Sequence, residues 1–409
     1  MASVLPFKAV RPQAKYAVQV AALPYDVMTR EEGIKAVAGK PLSFMHVEKS
    51  EIDVPDGTLP DDPFIYETAT CNFCNLIREG ILFQDPSPCY YVYRQQMGQQ
   101  VQTGIVGVMS AVEYDQGKIK KHELTRKDKE EDRIRHVDNV NAQTGPVFIS
   151  YMSRPRINAI VDKVVAGPPE YDFTAEDGVI HTAWVVADDG LISELRDEFA
   201  RVDALYIADG HHRAAAGAAV ARKRRKEGRV QESDHVLAVF FPHNQLKVLD
   251  YNRAVKDLNG LTVGQFLDKI SEKFTVTKDF TARSPQREHD FGMYLDGKWH
   301  VITIKDGVFD DKDPVARLDA AILQDHLLAP VLGIADPRTD DRIKFIGGIR
   351  GMAELEKLVD QDGFSVAFSL YPTTMEQVMS VADAGAIMPP KSTWFEPKLR
   401  SGLFVHPLD

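Results

Sequence analysis

With 409 residues, the chain is longer than one hydrophobic core ordinarily organises, so two or three domains are expected. Its 44% apolar and 27% charged residues are those of a globular protein, which excludes a disordered or fibrous chain. A net charge of −11 argues against wrapping nucleic acid or an anionic membrane, so any bound anion must be held by a local site.

No apolar run approaches the length that spans a bilayer, and residues 1–8 lack the charged-then-apolar pattern of a signal peptide. A cytoplasmic protein is expected, with no membrane partner. Cys71, Cys74 and Cys89 are an odd set that builds no disulfide framework. Cys71 and Cys74 form a lone C-x-x-C on an expected helix face, which predicts core packing rather than zinc or redox chemistry.

Residues 1–110 are expected to form an N-terminal mixed α/β region. Segments 6–12 and 21–27 are extended and punctuated by proline, and 51–63 is a polar loop. The pattern predicts a helix over 65–78 ended by Gly80, then a hairpin of 90–95 and 102–109 turning at 96–99. Residues 111–255 carry the chemistry. A charge-dense helix is predicted over 128–140, a strand over 183–186, an amphipathic helix over 191–199 and a strand over 204–208. The basic run 222–226 reads as a solvated helix end, and buried strands follow at 236–241 and 246–251.

Residues 256–409 are expected to be a C-terminal α/β region. Helices are predicted at 262–274, 316–328, 352–359 and 375–385. A hairpin of 291–295 and 299–304 turns at Asp296-Gly297, and strands are expected at 343–348 and 365–370. The tail 389–402, dense in polar groups and prolines, reads as a rigid loop laid over a site. No internal repeat is evident.

The organising stretch is Leu205-Tyr206-Ile207-Ala208-Asp209-Gly210-His211-His212-Arg213, followed by small residues through Ala219. Its pattern is strand, tight turn, helix. Free N–H groups of a first helical turn, with the positive end of the helix dipole, make an anion site where His211, His212 and Arg213 project. Gly210 permits the turn, and Asp209 at the strand end is placed to hold a divalent cation or orient a hydroxyl. A second constellation, His122-Glu123 with Arg126, stands just before the 128–140 helix. Arg126 occupies the place of the second ligand of H-E-x-x-H, so zinc is not expected. The P-loop, Rossmann and G-x-S-x-G motifs do not occur.

His122-Glu123 before one helix and Asp209-Gly210-His211-His212-Arg213 before another resemble the free-serine kinases, whose fold is similar to ParB and sulfiredoxin. The resemblance covers residues 111–255 and implies an α/β (α+β) class with a ParB/sulfiredoxin-like catalytic domain there. It implies Glu123 as general base and Asp209 serving Mg²⁺ or the hydroxyl, with Gly210, His211, His212 and Arg213 cradling the phosphates of ATP or ADP. Arg126 and Arg253 are candidates for a substrate carboxylate. Segments 120–130, 206–213, 249–253 and 390–395 also resemble, over the full length, a bacterial and archaeal family catalogued as a domain of unknown function. Residues 157–201 stand as an insertion relative to the compact kinases.

The expected activity is Mg²⁺-dependent phosphoryl transfer between a nucleotide and free serine or phosphoserine, run in either direction. A phosphoserine phosphatase using water is the alternative, since the same groups could position water. A nucleotide-gated DNA-binding protein of the ParB kind is a second, disfavoured by the acidic balance. The sequence fixes no oligomeric state.

Overall fold

The structure, a computed structural model, describes residues 3–229, 232–278 and 281–409. Met1 and Ala2 of the N-terminal reading lie outside the described residues. The chain divides into two units. One comprises Met1–Leu246 with Pro397–Asp409, and the other is Lys247–Glu396.

The first unit is built on a nine-stranded mixed sheet. Its strands are β1 (Val4–Leu5), β2 (Tyr90–Met97), β3 (Gln100–Ser110), β4 (Ile119–Lys120), β5 (Val147–Tyr151), β6 (Tyr171–Thr174), β7 (Ile180–Val186), β8 (Leu205–Asp209) and β9 (His235–Pro242). The spatial order is β4-β8-β5-β9-β3-β2-β7-β6, with β1 also on β3. Parallel pairing joins β8 to β4 and β9 to β5, and the other pairs are antiparallel. The hairpin β2–β3 turns through Gly98, whose positive φ of 59° suits a tight reversal.

Five helices matter here: α1 (Pro63–Arg78), α2 (Lys127–Val140), α3 (Pro155–Val165), α4 (Asp189–Phe199) and α5 (His211–Lys226). Asp62 caps α1, Pro63 opens it, and Gly80 follows its end with φ +69°. Residues Ile65, Ala69, Phe73 and Leu76 form the buried stripe of α1. Cys71 and Cys74 lie off that stripe and are exposed, which corrects the core-packing expectation. Helix α5 lies close on the sheet: a Cβ added at Gly217 would meet a Val236 methyl at 2.9 Å.

The second unit carries a six-stranded sheet, antiparallel throughout. Its strands are β10 (Tyr251–Val255), β11 (Phe274–Lys278), β12 (Asp290–Leu295), β13 (Lys298–Ile304), β14 (Ile343–Gly347) and β15 (Val366–Leu370), in the order β11-β13-β12-β15-β10-β14. Apolar clusters around Phe266, Phe291 and Phe368, and around Leu355 and Leu358, belong wholly to this unit.

The fold is mixed α/β. Three regions bounded at 110 and 255 are not what the chain forms. Strands β2 and β3, expected in the first region, bond directly into the sheet that holds β5, β8 and β9. The expected 246–251 strand divides at Asp250, and its end opens β10 of the second unit. The final residues return to the first unit, where Val405 bridges Val10 and His406–Pro407 pair with Ala142–Gln143.

Candidate active site

The site assembles in the first unit, at the end of β8. Register shifts between Ile207 and Asp209 against β5, an irregularity of the kind that re-aims a strand's last side chains. Gly210 then adopts φ +86°, its N–H donating to Asp209 Oδ1 at 2.8 Å, and α5 begins at His211 with no side-chain cap on its first turn. The strand, tight turn and helix start expected from the sequence are therefore present.

Asp209 Oδ2 accepts from Lys398 Nζ at 2.8 Å. Burial pushes the Asp209 carboxyl up. The Lys398 ammonium, the Gly210 N–H and Arg213 outweigh it and hold the group well below the usual carboxylate range. Pro24, Asp26, Pro146, Phe148, Gly210, Arg213 and Leu399 complete a cavity around this pair, with about 20 Å³ of space. That admits about one water, so a phosphoryl group needs Lys398 or Asp26 to swing aside. Two carboxylates, Asp209 and Asp26, are the hard oxygen donors that Mg²⁺ takes alongside phosphate oxygens, so these residues fit that ion.

The residues of the D-G-H-H-R turn diverge. His211 turns to His122, ring centroids 4.6 Å apart and edge to face, and its Nδ1 lies 3.8 Å from Glu123 Oε2. His122 is 2% exposed and His211 4%, whereas the Glu123 side chain is 46% exposed. Burial pushes the His122 ring down to about 4, the charge of Asp209 opposing, and lowers His211 well below the ordinary histidine value. Both rings are therefore neutral at pH 7 and offer one N–H donor and one lone pair each.

His212 Nε2 instead accepts the Arg126 backbone N–H at 3.0 Å, tying the loop before α2 to the start of α5. The Arg126 side chain is exposed and pairs with Asp128. Arg213 donates to the Pro146 carbonyl at 3.2 Å and lies 3.5 Å from Glu48, a buried carboxylate that also accepts from Thr144 Oγ1 at 2.5 Å. Arg253 belongs to the second unit. There it lies on β10, buried, bonded to the carbonyls of Tyr251 and Lys391.

Lys398, Asp26 and Glu48 are the polar groups that motif reading did not single out. Lys398 lies in the tail expected as a loop over a site, and Asp26 in the proline-marked segment 21–27, expected to be extended, which turns as a 3-10 helix over Tyr25–Val27 because Pro24 fixes the chain just before it. For Glu48 the available signal is an acid closing a stretch in which Phe44, Met45 and Val47 are apolar. Beside the small cavity, and sharing Asp26 with it, a larger cleft of about 460 Å³ is lined by Tyr25, Met28, Tyr66 and residues of α2 such as Asp128, Asp132 and Arg133. Four of the five cations of the basic run at the end of α5 pair internally: Arg222 with Asp115, Lys223 and Arg224 with Asp138, and Arg225 with Asp234.

Fold and site together define a mixed α/β protein with an uncapped, glycine-opened helix terminus beside an ionised carboxylate and two neutral imidazoles. Residues 4–321 match the family described as "protein of unknown function (DUF1015)", and the chain belongs to that family. No curated protein matches it. Among solved structures it is similar to a conserved hypothetical protein from Pyrococcus furiosus, at 16% identity over 69% of this chain and 90% of that one, TM-score 0.33. It is also similar to a free serine kinase in complex with AMP, at 16% identity over 68% and 83%, TM-score 0.34. SbnI with a C-terminal truncation, from Staphylococcus aureus, matches at 11% identity over 74% and 87%, TM-score 0.39. No helix among the described residues is long and apolar enough to cross a membrane.

Proposed function

We propose that the first unit catalyses Mg²⁺-dependent phosphoryl transfer between a nucleotide and free serine or phosphoserine. One observation carries the reading: Asp209, held ionised by Lys398, stands at the uncapped start of α5, with Glu123 on the adjoining loop beyond the histidine pair. Phosphoryl transfer asks for positioning and charge neutralisation, which helix N–H groups, Lys398 and Arg213 supply together. Mg²⁺, held by Asp209 with Asp26, would neutralise charge on the phosphates.

Glu123, half exposed, takes the proton of the serine hydroxyl in the forward direction and returns it to the departing serine oxygen in reverse. His211 and His212 each offer a neutral N–H to phosphate oxygens. Arg126 is free to reach a substrate carboxylate once it leaves Asp128, and the 460 Å³ cleft has room for the nucleoside. A DNA-binding role is not supported, because four of the five cations of the basic run 222–226 pair with acids of their own unit.

The test is accounting of phosphate and nucleotide after incubating the protein with Mg²⁺ and L-phosphoserine, with and without ADP. ATP and serine forming together, and only with ADP, are expected. Free phosphate without nucleotide would assign the same turn to a phosphatase. No turnover in either arm would sink the serine assignment. Asp209→Ala and Glu123→Gln are expected to stay folded by circular dichroism while losing about two orders of magnitude in turnover, as for groups acting at the transition state.

A further inference from the structure

His122, Glu123 and His211 each present one ligand atom, and these atoms all lie within 4.8 Å of one another. Among the described residues neither ring nitrogen of His122 has a partner in full hydrogen-bonding geometry, although the Ile207 backbone is near enough to favour the charged ring, and Nε2 of His211 has none; both side chains are buried. Buried imidazole nitrogens left without partners are uncommon, because each forfeits its hydration for nothing. A bound cation would take one nitrogen of each ring.

We infer that His122, Glu123 and His211 form a binding site for one divalent transition-metal ion of the Zn²⁺, Co²⁺ or Fe²⁺ kind. Two imidazoles and one carboxylate are a borderline nitrogen–oxygen donor set, which such ions prefer and Mg²⁺ does not. Donors 2.0–2.2 Å from an ion lie roughly 3.3 Å apart, so the trio must close slightly. The half-exposed Glu123, on a loop, is the member able to move, and its exposure leaves open coordination positions toward solvent. Asp209 is near enough to bias both rings electrostatically and adds negative potential without joining the ligand set. This site is separate from the Mg²⁺ assigned to Asp209 and Asp26. An ion here takes the Glu123 oxygens as ligands, so its occupancy and the use of Glu123 as a base exclude each other.

The experiment uses the full chain stripped by a chelator and titrated with Zn²⁺ in equilibrium dialysis, and separately with Co²⁺ followed by visible absorption. One ion per chain is expected, with Co²⁺ ligand-field bands, no thiolate charge-transfer band in the near ultraviolet, and no displacement by a large excess of Mg²⁺. Affinity should fall by roughly tenfold or more in His122→Gln, His211→Gln and Glu123→Gln. Because the histidines are buried, Glu123→Gln, at a half-exposed position, serves as the variant whose folding is least at risk. Absence of saturable binding overturns the site, as does undiminished binding in Glu123→Gln. Binding lost only in a Cys71→Ser/Cys74→Ser variant overturns it too, by placing the ion on the exposed thiols. The readout is metal binding alone, so its failure leaves the phosphoryl-transfer assay untouched.

Discussion

The Glu48 side chain is 2% exposed, yet its carboxyl is held below its ordinary value. Burial would raise it, and the charge of Arg213, then of His136 and Arg133, overrides that. Arg133 also donates to the Glu48 carbonyl at 3.2 Å, and its guanidinium lies over the Tyr25 ring at 4.0 Å. Removing one partner of a buried pair strands the other, which costs about 3–5 kcal/mol. Glu48→Gln is expected to lose about that much, read from the urea midpoint, and to release Arg213 beside the site. An unchanged midpoint would mean that the network contributes little to stability.

In the second unit Asp319 is buried, with Oδ1 accepting the His289 N–H at 2.9 Å and Oδ2 without a partner among the described residues. Burial, helped by Glu288 and Asp290, pushes its carboxyl up to about 8. The folded state therefore keeps a proton that the unfolded chain releases near pH 4. The stability this confers is complete below pH 4, falls as pH rises, and is gone above about pH 8. Each unit of displacement is worth about 1.4 kcal/mol. Between pH 5 and 9 the wild type should lose stability relative to Asp319→Asn, whose curve should be flatter. Parallel curves would show that the carboxyl titrates normally.

Helix α5 shows how an element is specified locally and then used. The strand-turn-helix pattern at 205–219 was legible because apolar residues stop at Asp-Gly and helix formers resume at once. Gly210→Ala forces a side chain into the left-handed region, at a cost of about 1–2 kcal/mol, and its Cβ would stand 3.5 Å from Val147 Cα. The expected outcome is that loss in denaturation together with reduced phosphoryl transfer, because the first turn of the helix shifts. Full activity would separate the turn from the chemistry.

Other elements were legible in type but not in extent. The helix expected over 262–274 ends at Ile270, and Phe274 opens β11, pulled into the sheet by pairing with Ile304. The helix expected over 316–328 is α-helical only from Asp319 to Leu323 and π-helical over Gln324–Leu328. Helices and strands alternate after residue 343 as expected, and the order of pairing, which that alternation leaves open, is antiparallel for β14, β10 and β15. Propensity is local, and a strand partner distant in sequence decides whether a segment stays helical.

At the scale of the molecule, Lys247–Glu396 enters and leaves the first unit as one continuous excursion with its own sheet and apolar clusters. Expressed alone, it is expected to unfold in one cooperative urea transition. A fragment without cooperative unfolding would mean that the unit depends on the rest of the chain.

The sequence by itself determined the class of elements and the helix terminus at Asp209-Gly210. Each of these follows from short-range chemistry: periodicity, a glycine where φ must be positive, charged groups at a strand end. Tertiary structure alone decided that residues 90–110 join the central sheet, that Lys398 returns from the tail to neutralise Asp209, and that His211 faces His122 while Arg213 faces Glu48. Those pairings span tens to hundreds of residues, and no local preference of the chain encodes which distant partner a strand or a buried charge will find.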